Sequence, residues 1–367
     1  MKKKVLFIIW SYSYGGGAER ILTNIVNNLD PSKYEIDILE YVYAGIKKEE
    51  INDNINLLNP IIDITDRSFI NRVNNYIKEK VVYRFPKLLR QKYIKKDYDV
   101  EIAFNYLIPT FLLNYNAKTI GWCHGAVTDL KENDKLKKLK KKYYDKINKI
   151  VAISNKTFDS VIDVYPEYKN KVELIYNGFD KNNILNKIND YKAENIDILY
   201  CGRFDENKNP AKFIEIIKNI KKVKNDIMAG MLGIGKLEEN IKKMIDEYEL
   251  GDNVILYGYK DNPYPIINST KIMCLTSYSE GFPTVLMEGM ILGKPFISTE
   301  VAGTKEMSNS NKCGFVSNDN EMLCKYAIKL LEDKKLYDVM SRDSKKHAEN
   351  FTLINQIKNI ESIIDKE

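Results

Sequence analysis

At 367 residues, with 44% hydrophobic and 29% charged side chains, the chain is long for one core and natural for two globular domains. No apolar run approaches the roughly 18 residues that a membrane-spanning helix needs. The opening MKKKVLFIIW is apolar only from Val5 to Trp10, which reads as a first buried strand and not as a signal peptide.

The net charge of +6 is unevenly placed. Residues 1–180 hold 30 Lys and Arg against 23 Asp and Glu, a balance of +7, whereas residues 181–367 hold 27 against 28, a balance of −1. Two segments, Ile77 to Lys96 and Asp134 to Lys149, each carry eight basic residues, against one and two acids respectively. Both read as helical, with Val81, Val82, Phe85, Leu88 and Leu89 apolar in the first and Leu136, Leu139, Tyr143 and Ile147 in the second. Basic amphipathic helices suit an anionic membrane surface, although a solvated Lys-rich face fits the second segment equally well. Nucleic acid is not expected as a partner, since no helix-turn-helix or aromatic-basic RNA motif is present. Five cysteines without a CxxC pair fit a reducing cytoplasm, and two histidines leave little for a His-based metal site.

In chain order the first half alternates strand and helix. Strands are predicted at Val5 to Trp10, Tyr34 to Val42, Ile55 to Leu58, Val100 to Phe104, Thr119 to Trp122, Ile150 to Ile153 and Lys171 to Tyr176. A helix is predicted over Ala18 to Leu29, and a polar, basic helical region runs to Lys96. Asn177-Gly178 is a turn, and Lys181 to Asn195 reads as a linker. A second alternation follows: strands at Ile198 to Cys201, Ile227 to Leu232, Val254 to Tyr257, Ile272 to Leu275 and Pro295 to Ser298, helices at Pro210 to Ile220 and Leu237 to Tyr248, and mostly helix from Glu321. Such alternation predicts two parallel, doubly wound sheets, whose ligands bind beyond the carboxyl ends of the strands. Two such domains facing each other would share one cleft.

The loops at those strand ends carry the candidate chemistry. After the first strand comes Gly15-Gly16-Gly17, but Arg20 stands where a dinucleotide fingerprint needs its third glycine, so an NAD oxidoreductase is set aside. His124 and Gly125 follow the strand at Trp122; a structural histidine and a cleft residue are both open there. Gly202-Arg203-Phe204-Asp205-Glu206-Asn207-Lys208 follows Cys201, and its Arg203 and Lys208 are natural partners for a diphosphate. Gly233-Ile234-Gly235 is a further glycine turn.

Ile272 to Gly293 is the most informative stretch: a short apolar strand, a loop, then Pro283 at the position where a helix would begin. Glu280 lies in the loop and Glu288 on about the second helical turn. Unpaired amides at a helix start attract phosphate, whereas carboxylates accept hydrogen bonds from paired hydroxyls. The combination suits a sugar nucleotide. On these residues alone, a buried strand and helix with two surface glutamates fits as well.

Taken together, GGGAER near the start, HG after a mid-domain strand, YNGFD before the linker, GRFDENK after it and SEGFPTVLMEG resemble the retaining glycosyltransferases of family 4, in that family's order and over nearly the whole chain. The resemblance implies an α/β chain of GT-B architecture, with two Rossmann-like doubly wound domains facing a central cleft. An acceptor-side domain would span 1–185 and a nucleotide-sugar domain 195–350, with a C-terminal helix over 351–367 packing back on the first. It further implies that Glu288 holds the ribose and that Glu280, with the backbone of Gly281 and Phe282, holds donor-sugar hydroxyls. Arg203 and Lys208 would bind the diphosphate. The amides of Thr284 and Val285, the loop Gly15-Gly16-Gly17 and the turn at Gly235 would complete the anion cradle, and His124 would lie near the transferred sugar.

The implied reaction moves a hexose or N-acetylhexosamine from a nucleotide sugar, UDP-linked first of all, to a glycan or polyprenyl-diphosphate-linked acceptor, with no cofactor and no metal. Such an enzyme would serve surface polysaccharide synthesis, peripherally on the inner face of the plasma membrane. Asp97-Tyr98-Asp99 spells the DxD of metal-dependent transferases, but it precedes a strand and reads as a surface strand entry. A nucleotide-sugar 2-epimerase and a silent sugar-nucleotide-binding subunit are the alternatives.

Overall fold

The computed structural model describes residues 1–46, 50–105, 107–129 and 134–366, and the chain forms two compact units. One comprises residues 1–178 with 353–367, the other residues 179–352.

Strands are numbered in chain order. The first unit contains β1 (Lys3–Ile9), β2 (Tyr34–Glu40), β3 (Val42–Tyr43), β4 (Ile55–Leu57), β5 (Ile62–Asp63), β6 (Val100–Ala103), β7 (Lys118–Cys123), β8 (Lys149–Ala152) and β9 (Val172–Leu174). Seven of them make one parallel sheet in the order β4-β2-β1-β6-β7-β8-β9, and β3 pairs with β5 apart from it. Val5 to Ile9 are wholly buried on both faces of β1, as expected for a central parallel strand covered by helices on each side. The chain moves outward from β1 to β2 on one side and later to β6 on the other, so the direction of winding switches between β1 and β6.

In the second unit, β10 (Ile196–Cys201), β11 (Ala229–Leu232), β12 (Val254–Gly258), β13 (Thr270–Leu275), β14 (Phe296–Ser298) and β15 (Gly314–Val316) form a parallel sheet in the order β12-β11-β10-β13-β14-β15. Its switch lies between β10 and β13, paired in register from Ile198↔Ile272 to Tyr200↔Cys274. Close helix–strand packing is set by Gly289, where a Cβ would stand 2.5 Å from Met273 Cγ.

Several local expectations are corrected. The stretch read as a linker opens with the helix Lys181–Asn186, because Asp180 caps it by accepting the Asn183 amide at 3.0 Å. Pro283 is the N-cap, one residue before the helix Thr284–Ile291. The strand β15 and the short helices Ile108–Phe111, Tyr264–Ser269 and Thr304–Ser308 are too short to show a period in the sequence. The basic region before Lys96 is two helices, Phe69–Arg84 and Pro86–Tyr93, broken where Pro86 cannot continue the hydrogen-bond ladder.

In the second basic segment, the helix Asp134–Tyr144 packs Leu139 and Tyr143 against the core, and Lys141 pairs with Asp145 (3.0 Å) and with Glu167. The final helix, Leu353–Asp365, belongs to the first unit. There Asp365 bonds Lys3 Nζ at 3.0 Å and the Tyr34 hydroxyl at 2.9 Å, and Gln356 accepts the Gly178 amide at 3.0 Å.

Candidate active site

In the second unit the loops that leave β10 and β13 at their carboxyl ends, residues 202–209 and 276–283, are laced together. Tyr278 donates its amide to the Asn207 carbonyl at 2.8 Å, and the Asn207 side-chain amide returns to the Ser279 carbonyl at 3.0 Å. Thr276 Oγ1 reaches the Asn209 carbonyl at 2.9 Å, and the Tyr200 hydroxyl holds the Arg203 carbonyl at 2.9 Å. Asn209 sits at φ 47, a left-handed turn that asparagine tolerates, and redirects the chain into the helix Pro210–Lys221.

Across this seam Lys208 Nζ meets Glu280 Oε1 at 2.5 Å, and Ser277 Oγ donates to the same oxygen at 2.6 Å. The side chains are 24% and 12% exposed, so the pair is largely but not fully removed from water. Arg203, 63% exposed, is tethered to Asp205 Oδ2 at 2.9 Å, and the other oxygen of Asp205 accepts the Lys208 amide at 2.9 Å. Burial alone would raise the Asp205 carboxyl, but the Lys208 amide and the Arg203 guanidinium outweigh it and hold it below its usual value. Asp205 therefore sets both cations and stays ionised.

The helix Thr284–Ile291 starts beside this cluster. Leu286 and Met287 donate back to the Pro283 carbonyl at 3.2 and 3.4 Å, whereas the first two amides, of Thr284 and Val285, have no helical carbonyl ahead of them. Phe282 is buried with its ring 5.4 Å from that of Phe351, and Gly303 approaches so closely that a Cβ there would lie 2.9 Å from the Phe282 ring. Gly281 is half-buried before it. Glu288, one helical turn beyond Thr284, is only 2% exposed. Gly235 packs backbone to backbone on Phe204, where a Cβ would stand 2.4 Å from the Phe204 carbonyl oxygen. The loop after β11 thus supports the Arg203 loop, and Phe204 exchanges hydrogen bonds with Ile234 and Leu237 at 2.9 and 3.0 Å.

In the first unit, the loop after β1 ends with Gly15 at φ 82, Gly16 as N-cap and Gly17 as the first residue of the helix Gly17–Asn28. Glu40, at the end of β2, orders this loop by accepting the amides of Tyr12 and Ser13 at 2.9 and 3.1 Å and the Ser13 hydroxyl at 2.9 Å. Asn105, after β6, accepts the Trp10 amide at 2.6 Å. His124, after β7, donates Nε2–H to the Phe104 carbonyl at 2.6 Å, its ring against those of Phe104 and Trp122. Burial pushes this imidazole down to about 4, so at neutral pH it is uncharged and its Nδ1 lone pair is an acceptor. Asp99, of the DYD triplet, accepts the Lys4 amide at 2.8 Å at the amino end of the same sheet, opposite to His124.

The structure therefore brings together Glu280, Lys208 and, through Asp205, Arg203, with Thr284 and Val285 at the adjoining helix start. In the other sheet the glycine loop lies at the switch point, after β1, and His124 lies after β7, bonded to Phe104 at the end of the neighbouring β6. Asp205, Ser277, Asn207, Glu40 and Asn105 were not singled out from the sequence, although each is a polar residue in a post-strand loop or at a strand's carboxyl end. Among the described residues no group of three or more His, Cys, Asp or Glu is placed to hold a metal ion. Chemically, paired cations, helix-start amides and two carboxylates suit a ligand that is both phosphorylated and rich in hydroxyls.

Two doubly wound parallel sheets, each with its polar loops at the switch point, are the architecture of GT-B enzymes. Residues 15–183 match the domain described as Glycosyltransferase Family 4, and residues 180–347 match Glycosyl transferases group 1. The chain belongs to the family 4 glycosyltransferases of the GT-B fold and is a hexosyltransferase.

Among its relatives, the N-acetylgalactosamine-N,N'-diacetylbacillosaminyl-diphospho-undecaprenol 4-alpha-N-acetylgalactosaminyltransferase of Campylobacter jejuni is 27% identical over 96% of each chain. The GalNAc-alpha-(1->4)-GalNAc-alpha-(1->3)-diNAcBac-PP-undecaprenol alpha-1,4-N-acetyl-D-galactosaminyltransferase of the same organism is 23% identical over 95% of each. An Anabaena protein crystallised with UDP-glucose shares the fold, with a TM-score of 0.74, 15% identity and 98% of each chain covered.

Proposed function

We propose that the protein transfers a hexose or N-acetylhexosamine, with retention, from a UDP-sugar to a polyprenyl-diphosphate-linked glycan at the inner face of the plasma membrane. The observation that carries this reading is the Lys208–Glu280 pair at 2.5 Å, with Arg203 fixed beside it through Asp205. One carboxylate and two cations held at a sheet's switch point match a donor whose sugar carries hydroxyls and whose leaving group is a diphosphate. The acceptor class and the N-acetylhexosamine option are supported by the Campylobacter relatives, whose substrates are diphospho-undecaprenol-linked. The UDP nucleotide is suggested by the Anabaena fold neighbour.

On this reading, Arg203 and Lys208 bind the diphosphate and stabilise its charge as the sugar C1–oxygen bond breaks. The amides of Thr284 and Val285, with the turn at Gly235, add dipoles to the anion cradle, and the loop Gly15-Gly16-Gly17 offers helix-start amides at the switch point of the first unit. Glu280, with the backbone of Gly281 and Phe282, holds hydroxyls of the sugar, and Glu288 holds those of the ribose. The acceptor oxygen attacks C1 from the face the diphosphate leaves, and a departing phosphate oxygen takes its proton. His124, neutral and with Nε2–H committed to Phe104, offers Nδ1 to a sugar hydroxyl. Rate enhancement then comes from positioning and preorganised charge.

The test is to incubate the protein with UDP-N-acetylgalactosamine, UDP-N-acetylglucosamine, UDP-glucose and UDP-galactose, with and without an undecaprenyl-diphosphate-linked glycan. UDP release that rises with the acceptor, and a product whose new linkage keeps the donor's anomeric configuration, are expected. Binding without release from any donor would make the protein a silent binder, and a 2-epimerised free nucleotide sugar would make it an epimerase.

A further inference from the structure

The helix Phe69–Arg84 turns most of its large apolar side chains outward. Its protein-facing side is mixed: Asn71 and Asn75 each donate to the Asp63 carbonyl at 2.7 Å and Lys78 Nζ donates to the Ile61 carbonyl at 2.6 Å, while Val82 is buried and Val81 packs against the core. Its outer side carries Phe69, Ile70, Val73, Tyr76, Ile77 and Tyr83, exposed between 42% and 79%. Phe85 and Leu88 continue the face at 53% and 60%. Eight of the 24 exposed large apolar residues of the described chain thus fall within residues 69–88, a concentration that solvent alone does not tolerate. Of the apolar residues of this basic segment, Phe85 and Leu88 lie on the exposed face, while Val82 and Leu89 are buried.

Basic residues rim and interleave this face. Arg67, Arg72, Lys80, Arg84 and Lys87 are all exposed, with Glu79 the one acid in the helix, and Lys80 and Arg84 lie over the rings of Tyr76 and Phe85. Arg90, by contrast, is spent inward on buried Glu101. A second copy of the chain would set these cations against one another, whereas an anionic lipid leaflet complements both components: headgroups meet Arg and Lys while the aromatic and aliphatic side chains enter the acyl boundary.

We propose that the outer face of residues 69–88 is the membrane-docking surface of the protein and that its partner is an anionic lipid leaflet. The face connects to the acceptor-side loops. Tyr83 packs on Phe111 at 5.9 Å between ring centroids, and Phe111 lies in the short helix that follows β6, whose next residue, Phe104, holds His124. Docking therefore anchors the sheet end to which a lipid-linked acceptor is delivered. The inference rests on the lipid-linked reading for its purpose, but its test does not depend on turnover.

The test is co-sedimentation of the full chain with vesicles of equal parts phosphatidylglycerol and phosphatidylcholine, and with phosphatidylcholine alone. Wild type is expected to pellet with the anionic vesicles, and high salt should weaken this only in part, since inserted side chains are not screened. The triple variant Phe69→Ser, Tyr76→Ser, Ile77→Ser and the double variant Lys80→Glu, Arg84→Glu should each lose at least about tenfold in partitioning. Lys138→Glu with Lys142→Glu, on the solvated helix Asp134–Tyr144, should change it less than about threefold. All these side chains are exposed, so melting temperatures should hold.

Wild type remaining in the supernatant, or triple and double variants that bind like wild type, overturns the proposal. So does a dimer in solution that the triple variant dissociates, which would assign the face to a second copy. Turnover of UDP-sugar without vesicle binding would refute the docking face alone. Vesicle binding without any donor turnover would refute the proposed function alone.

Discussion

Lys208 and Glu280 stand 72 residues apart in the chain and meet through an ion pair of 2.5 Å, because β10 and β13, which carry their loops, are neighbours at the switch point of the second sheet. The pair satisfies both charges when no anion is present.

The proposed reaction uses these two residues differently, and kinetics separate them. Lys208→Ala should lower kcat about 10²–10³-fold, the range for one preorganised electrostatic group. Glu280→Gln, which keeps shape but loses the carboxylate, should reduce kcat/KM to a similar degree and depend on which sugar is offered. Losses under threefold in both would locate the diphosphate elsewhere.

In the proposed function Glu288 holds the nucleotide's ribose. Glu288→Gln should weaken UDP binding about 10- to 100-fold, as expected when a charged acceptor of two hydroxyl hydrogen bonds is neutralised. Isothermal calorimetry with UDP is the measurement, with melting curves to check that this nearly buried site stays folded. Unchanged affinity would remove Glu288 from the site.

For His124, the folded imidazole is held at about 4, below the ordinary value near 6.5, by burial. Below pH 6.5 the unfolded chain binds a proton that the native state refuses, so this residue's contribution to stability falls as pH drops from 6.5 towards 4. At pH 5 the loss is about 2 kcal/mol. Denaturant unfolding of wild type and His124→Asn at pH 7.5 and pH 5 should show wild type losing that much relative to the variant. Parallel pH profiles would mean that the ring is solvated.

Gly233 sits at φ +144, where a Cβ would stand 1.9 Å from the Gly202 carbonyl oxygen. Gly233→Ala should destabilise the second unit by about 3 kcal/mol or more and weaken UDP binding, because the loop after β10 is displaced. Melting temperature and UDP affinity should fall together. A variant with native stability would show that the two loops can separate without cost.

Turnover should continue in EDTA. Activity abolished by the chelator and restored by Mn²⁺ would contradict the assignment of charge stabilisation to Arg203 and Lys208.

Much of this protein was legible in one dimension. Val5 to Ile9, Ile198 to Cys201 and Ile272 to Leu275 are short apolar runs ended by Gly, Ser or polar loops, and a strand buried on both faces of a parallel sheet has to look like that. Arg203 and Lys208 stood out as cations in a loop after such a run, and Glu280 and Glu288 as carboxylates bracketing the turn into a helix, for which two surface glutamates fitted the sequence as well.

Sheet order, however, is written in no local pattern. That β13 lies beside β10, and so delivers Glu280 to Lys208, depends on which strands pair across the whole unit. The supporting contacts of Asp205, Ser277, Glu40 and Asn105 depend on the same pairing. The direction in which the helix Phe69–Arg84 faces was likewise decided by tertiary contacts. Periodicity shows that apolar residues share a side, but the carbonyls of Ile61 and Asp63 recruit Asn71, Asn75 and Lys78 inward and leave Phe69, Tyr76 and Ile77 outside.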